Sequence, residues 1–97
     1  MIVSWGNKAA KELYESGYFK KMPKELVRRA DILLQFMMEG NLNELLQNGQ
    51  PPSLRPHKLK GLLKDFMAID IHELSGWRIT FKYINNEFHV VKIENYH

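Results

Sequence analysis

The sequence predicts an α+β domain in which two or three helices pack on one face of a small, twisted, mostly antiparallel sheet. Two observations indicate this class. A short apolar segment, MIVSW, precedes two stretches with helical spacing of apolar residues, and from DFMAIDI onward the pattern changes to strand-like runs. A first strand, then helices, then a series of strands is an order typical of α+β folds. At 97 residues the chain is expected to form a single domain, 1–97.

The helices are predicted from their capping residues and apolar spacing. Asn7 is expected to cap a helix through KAAKELYES, and Gly17 would end that helix. Pro23 suits the first turn of a longer helix that reaches about Glu39 and is closed by Gly40. NLNELLQ could add a further helical turn or two, and NGQPPSLRP reads as a loop because it is dense in helix-breaking residues.

The longer helix has a wide apolar face. Ile32 and Phe36 lie outside the main apolar stripe and widen it. The stripe itself contains Leu26, Val27, Ala30, Leu33, Leu34, Met37 and Met38. This helix is therefore expected either to pack on two sides within the domain or to be partly covered by a partner, with Ile32 and Phe36 as the candidate contacts.

The last two strands are predicted to form a hairpin. WRITFKYI and EFHVVKIENYH flank Asn85–Asn86, a pair that tolerates the positive φ of a two-residue turn. If the ladder continues without a break, Lys82 faces His89 and Arg78 faces Ile93. Directly opposite side chains share a sheet face, and a slip of one residue would exchange the two faces.

This register divides the hairpin into a core side and a polar side. The predicted core side comprises Trp77, Ile79, Phe81, Tyr83, Phe88 and Val90. The predicted polar side comprises Arg78, Lys82, His89, Asn95 and, by continuation, His97. A guanidinium, an amide and an imidazole over an open sheet face would suit a phosphate group. A solvated sheet face carries the same residue types, so both interpretations stay open.

The net charge of +3 is concentrated in two segments. Residues 54–64, LRPHKLKGLLK, carry no acid among four lysines and arginines, and residues 20–29, KKMPKELVRR, have five basic residues against Glu25. Such clusters suit a polyanionic partner, whose phosphates they would contact with release of counterions. A solvated helix face is the alternative interpretation.

Composition excludes several classes of function. The absence of cysteine excludes disulfides and thiolate chemistry. The four histidines lack the spacing of a zinc motif, and the chain has neither a glycine-rich phosphate loop nor a nucleophile elbow, so no metal and no cofactor are expected. No apolar run reaches membrane-spanning length and the first residues lack a signal-peptide pattern, which makes the cytoplasm the expected location.

Three short motifs, in this order, resemble the HigB branch of the RelE toxin superfamily over nearly the whole chain: LRPHKLKG, GWRITFKY and VVKIENYH. The resemblance implies a small toxin neutralised by a HigA-type helix-turn-helix antitoxin, which alone would bring it to operator DNA. The implied partners are the 70S ribosome with its 16S ribosomal RNA and the messenger RNA read in the A site. The implied reaction is metal-independent attack of a ribose 2′-hydroxyl on the adjacent phosphate, leaving a 2′,3′-cyclic phosphate and a 5′-hydroxyl.

The resemblance also implies a set of site residues. The matching catalytic positions are His57, Lys60, Arg78, Asn95, Tyr96 and His97. Arg78 and Lys60 are expected to hold the phosphate, and His57 and His97 to transfer protons, with the base and the acid not yet distinguished. Tyr96 would stack on or orient a base. Further RNA or ribosome contacts are expected at Arg55, Lys58, Lys64 and Lys82, and antitoxin contacts at Ile32 and Phe36.

The chain departs from the family pattern at Asn95, where relatives commonly have an acid in a tail of the Asp-Tyr-His kind. Asparagine can position a histidine or a ribose by hydrogen bonding, but it cannot stabilise an imidazolium by charge. Alternation is expected to point Glu94 away from the site. The alternative function is therefore a non-cleaving RelE-fold module that binds RNA or an antitoxin.

Overall fold

The computed structural model describes residues 1–40, 57–58, 66–72 and 75–95, with 57–58 described by their backbone. Two helices, α1 (Lys8–Ser16) and α2 (Lys24–Glu39), precede four strands, β1 (His57–Lys58), β2 (Met67–Asp70), β3 (Trp77–Ile84) and β4 (Glu87–Asn95). The strands form one sheet in the order β1-β2-β3-β4, and all neighbours are antiparallel. The predicted α+β class is confirmed. NLNELLQ lies outside the described residues.

Both helices begin and end close to the predicted residues. The Asn7 Oδ1 accepts a hydrogen bond from the Ala10 N–H at 3.1 Å. Gly17, with a φ of 71°, donates its N–H to Leu13 O at 2.7 Å, so it ends α1 in the left-handed conformation that glycine adopts without strain. Pro23 immediately precedes α2 as its capping residue rather than lying in the first turn. The local sequence was therefore sufficient to place both helices.

The first residues lie beside β4 as a paired segment rather than as the continuous strand predicted for MIVSW. Two isolated parallel bridges join Ile2 to Phe88 and Trp5 to Val91. Between them, Ser4 accepts the Val90 N–H on its Oγ at 2.9 Å and the Val91 N–H on its carbonyl at 3.1 Å. The Ser4 side chain thus accepts a hydrogen bond that a backbone carbonyl would accept in a regular ladder.

Asn7 connects this segment to β4 as well as capping α1. Its Nδ2 donates to Ile93 O at 2.9 Å, and its Oδ1 accepts from the Ile93 N–H at 3.3 Å in addition to Ala10. One side chain therefore satisfies three backbone groups in two elements that are distant in sequence.

Replacing Asn7 by alanine is expected to lower the free energy of unfolding by about 2–3 kcal/mol, because both the helix cap and the partners of Ile93 are lost. Asn7→Ser is the matched control, since serine caps well but is too short to reach Ile93, and it should recover about 1 kcal/mol. Urea denaturation of the three proteins measures both values. Equal stability of the alanine and serine variants would show that the cap contributes nothing.

The core lies between the helices and one face of the sheet. The helices contribute buried Leu13, Ala30, Leu34 and Met37 to it. The sheet contributes Ile69, Ile79, Phe81, Phe88, Val91 and Ile93. The rings of Phe81 and Phe88 meet edge to face at 5.1 Å, a favourable geometry for aromatic pairs. On α2, Ile32 and Phe36 stay exposed, at 49% and 36%.

The hairpin register was predicted correctly near the turn and wrongly beyond the middle of the strands. Asn85 and Asn86 both have positive φ, 53° and 64°, which confirms the two-residue turn, and Lys82 faces His89 as expected. A β-bulge follows, with Val90 at a φ of 53° and the register shifted between Thr80 and Lys82. Because β4 has one extra residue at the bulge, every later side chain of β4 lies on the opposite sheet face from the one predicted.

The shift changes which residues of β4 belong to the core. Arg78 faces Glu94 instead of Ile93. Val91 and Ile93 are buried in the core, whereas Val90, predicted to lie there, is only half-buried. The predicted core positions Ile79, Phe81 and Phe88 are confirmed, and Trp77 and Tyr83 pack against the same cluster as partly buried residues.

Candidate functional site

The sheet face turned away from the helices carries the charged residues, and we call it the polar face. Cross-strand pairing arranges it in rows. The polar face consists of Ala68 and Asp70 from β2, Arg78, Thr80 and Lys82 from β3, and His89, Lys92 and Glu94 from β4, together with Phe66 just before β2. Arg78 and Lys82, which the sequence predicts for this face, share it with His89 as expected.

Arg78 lies on β3 between two other strands and is only 8% exposed. Its cross-strand partners are Asp70 on β2 and Glu94 on β4. Both cross-strand neighbours of Arg78 are acids, so carboxylate side chains originate on either side of it in the same row of the sheet. Arg78 is therefore a largely buried arginine at the centre of a row that also contains two acids.

Glu94 is a correction to the sequence-based prediction. Alternation counted without the bulge points this residue away from the site, whereas the observed register puts it directly opposite Arg78. Asp70, the other acid of the same row, carries no sequence signal that distinguishes it from an ordinary strand residue.

Two lysines flank the ring of Phe66. The Nζ atoms of Lys82 and Lys92 lie 5.2 Å and 5.3 Å from its centroid, within range of a cation–π interaction. Lys92 also lies 3.9 Å from Glu94 Oε1. Sequence reasoning identified Lys82 but missed Lys92, because the uninterrupted register placed Lys92 on the core side. The sequence EFHVVKI carries no local signal of the bulge that brings Lys92 to the polar face.

Asn95 does not lie on the row predicted for it. It faces Trp77, so alternation puts it on the same face as Trp77 rather than that of Arg78. The expectation that Arg78 and Asn95 share one sheet face is therefore wrong, because the bulge moved Asn95 by one residue. Participation of Asn95 in a site stays a prediction.

The backbone of His57 lies in a row of the same sheet. β1 pairs His57 with Ala68, which faces Thr80, which in turn faces Lys92. Lys58 pairs with Met67 in the neighbouring row. The backbone of His57 and Lys58, within the LRPHKLKG motif, is thus paired with β2, the strand that also carries Asp70. Arg55, Lys60, Lys64, Tyr96 and His97 lie outside the described residues, and their roles stay predictions.

The polar face is suited to binding a phosphate group. Arg78, Lys82 and Lys92 provide three cations, against the two carboxylates of Asp70 and Glu94. A guanidinium can donate two parallel hydrogen bonds to one phosphate, and ammonium groups add charge without directional demand. Over the described ranges, no three histidines, cysteines or acids are grouped to hold a metal ion. No helix within those same ranges is long and apolar enough to cross a membrane.

Comparison with known proteins adds sequence similarity to this geometry. No protein-family model matches the chain. Endoribonuclease HigB of Proteus vulgaris is similar to it, with 31% identity in an alignment 101 positions long that covers the whole of both proteins. The similarity extends across both helices, the sheet and the positions of the motifs.

Proposed function

This chain belongs to the HigB branch of the RelE toxin superfamily, and from that premise we propose that it is an endoribonuclease that cuts messenger RNA in the ribosomal A site and so inhibits translation. The observation that supports the proposal most directly is Arg78. Its guanidinium is buried, flanked by charged partners and set on the same face as two lysines. Arginine is rarely buried unless it is paired, and a solvated surface residue would be far more exposed than Arg78.

The proposed reaction needs three kinds of group. A base removes the proton of the ribose 2′-hydroxyl as its oxygen bonds to phosphorus, and an acid protonates the 5′-oxygen as its bond to phosphorus breaks. The phosphorane between these events carries extra negative charge, which donors already in place stabilise without reorganisation. Arg78 and Lys60 are proposed for that charge, and His57 and His97 for the two proton transfers.

Asn95 and Tyr96 have supporting roles in this proposal. Asparagine replaces the acid common in relatives, so it would orient a histidine or a ribose through hydrogen bonds alone. Tyr96 would stack on a base of the bound codon. Because Asn95 replaces an acid, the second candidate function is a module that binds RNA or antitoxin without cutting.

Primer extension on a defined message with programmed ribosomes tests the proposal. Wild-type protein should produce discrete cuts within A-site codons, and His97→Ala should produce none at equal concentration. Protein that pellets with ribosomes but leaves the message intact would replace the proposal by the non-cleaving module. If the protein cuts the message equally well without ribosomes, the proposed dependence on ribosomes is wrong.

The proposed partner for neutralisation is a HigA-type helix-turn-helix antitoxin, through which the complex would reach operator DNA, and the proposed location is the cytoplasm. The exposed apolar residues Ile32 and Phe36 on α2 support a contact surface for it. They are one helical turn apart, so they lie on the same side of the helix.

Ile32→Glu and Phe36→Glu are each expected to weaken antitoxin binding about tenfold or more, because a charge would replace an apolar contact in a desolvated interface. Gln35→Glu, an exposed position on the same helix, is the matched control, since it adds the same charge without removing an apolar side chain. Calorimetry with purified antitoxin measures the dissociation constants. Affinities equal to that of the control would place the antitoxin elsewhere.

A further inference from the structure

An open groove of about 470 Å³ lies where the end of α1 turns into the start of α2. It is separate from the polar face and belongs to the second basic segment, 20–29, which the proposed reaction does not use. Lys20, Lys24 and Arg28 line it together with Tyr18 and Phe19. Its volume falls within the range of sites that hold a small molecule or one nucleotide unit.

The charge of the groove is almost entirely positive. Lys20, Lys24 and Arg28 are exposed, and Asp31 is the one acid among the lining residues. Lys24 and Arg28 are four residues apart on α2 and therefore lie on one side of the helix. A lysine in the first turn of a helix faces the positive end of the helix dipole, so helix stability does not explain its presence. A bound polyanion would offset this unfavourable interaction with the helix dipole.

Tyr18 presents an aromatic ring beside these cations. Its side chain is 63% exposed. The backbone that carries it is held by Ser16, whose Oγ accepts the Tyr18 N–H at 3.2 Å and donates its own proton to Glu12 O at 2.6 Å. The ring therefore extends into solvent from an anchored point of the backbone and is accessible to a stacking base. Cations that follow a phosphate backbone beside a stacking aromatic ring are the combination that single-stranded RNA requires.

The groove adjoins the end of the sheet that carries Arg78. The ring of Phe19, which lines the groove, meets the ring of Trp77 edge to face at 5.9 Å. Trp77 begins β3, immediately before Arg78, and faces Asn95 on β4. The ring contact between Phe19 and Trp77 thus connects the groove to the start of β3, one residue before Arg78.

We infer that this groove binds single-stranded RNA, with a base stacked on Tyr18 and backbone phosphates on Lys20, Lys24 and Arg28. Whether that RNA is the message being cut or an exposed segment of ribosomal RNA depends on the proposed function. The chemistry of the groove does not depend on it. The groove would hold the strand in place outside the reacting nucleotides.

Binding of a short 2′-O-methyl oligoribonucleotide tests the inference, because a blocked 2′-hydroxyl cannot be cleaved. Lys20→Glu/Lys24→Glu should raise the dissociation constant about tenfold and reduce the slope of log K against log salt by about 1.4, since each contact to a single strand contributes about 0.7. Tyr18→Ala should raise the dissociation constant about tenfold with the slope unchanged, because stacking involves no counterion release. Lys8→Glu/Lys11→Glu is the matched control, with the same charge change on exposed α1 positions outside the groove.

A second set of measurements replaces the oligonucleotide by vacant ribosomes and measures how much of each variant pellets with them. Weakened binding of the oligonucleotide supports the inference with the message as ligand, and weakened binding of ribosomes alone supports it with ribosomal RNA as ligand. Groove variants that match the control in both measurements overturn it. If such variants also escape neutralisation by antitoxin, the groove binds an acidic peptide instead. Groove-dependent RNA binding without cuts on programmed ribosomes would remove the proposed function and leave this inference standing.

Discussion

Replacing Arg78 by lysine is expected to slow cleavage of ribosome-bound message by about 10²–10³-fold, the usual loss when one preorganised donor to a transition-state charge is removed. Lysine keeps the positive charge between Asp70 and Glu94 but loses the planar pair of donors. Alanine is expected to slow cleavage further, and it also leaves two carboxylates without their central cation. The rate should be measured in single-turnover experiments with ribosomes in excess, so that the change reports chemistry rather than ribosome binding.

Because Arg78 is buried, its loss could act through the fold, and two further measurements separate the possibilities. Arg29→Lys is the matched control, since Arg29 is also partly buried and donates from its Nε to Ile71 O at 2.9 Å, away from the polar face. It should lose stability but not cleavage. Added guanidinium ion should restore part of the activity of Arg78→Ala if the group acts on the phosphate. Unchanged cleavage by a folded Arg78→Lys protein would assign Arg78 a structural role.

Replacing Gly6 by alanine is expected to lower the free energy of unfolding by about 3 kcal/mol, at the upper end for a single overpacked methyl group. A Cβ at Gly6 would lie 2.8 Å from the Val90 carbonyl oxygen, 2.8 Å from Val90 Cγ1 and 2.5 Å from Lys92 Cγ. The lysine and valine side chains can move, but the carbonyl belongs to the bulge and cannot. The substitution should also displace Lys92 from Phe66 and so weaken RNA binding.

Gly17→Ala is the control for this prediction, because Gly17 has space for a methyl group but an unfavourable backbone conformation. A Cβ at Gly17 meets nothing within 4 Å, but its φ of 71° is unfavourable for other residues, so the expected loss is only about 1 kcal/mol. Urea denaturation curves measured on both variants under identical conditions give the comparison. A Gly6→Ala protein no less stable than Gly17→Ala would mean that the first residues do not press against the bulge.

The bulge at Val90 links these two predictions. A valine at positive φ is strained, and it persists only where surrounding contacts compensate. The Val90 N–H is taken by the Ser4 side chain and the Val91 N–H by the Ser4 carbonyl. The N-terminal segment contacts β4 at this bulge, where the residues that reach the polar face change, so a substitution at Gly6 is expected to affect Lys92 and the polar face.

The sequence by itself determined the elements whose signals are local. Asn7 and Gly17 mark the ends of α1, apolar spacing identifies the buried side of α2, and Asn85–Asn86 specifies the turn, because each acts on backbone within a few residues of itself. The family also follows from short motifs whose order the whole-length similarity supports. Arg78 was placed on the polar face because alternation within β3 is uninterrupted.

Only the tertiary structure decided the composition of the second half of the polar face. Lys92 and Glu94 replaced Asn95 beside Arg78, and Phe66 joined the two lysines. The reason is that the bulge is accompanied by a hydrogen bond from the Val90 N–H to Ser4 Oγ, between residues 86 positions apart. No local pattern in EFHVVKI distinguishes a bulged strand from a regular one, and a single inserted residue reverses every side chain after it.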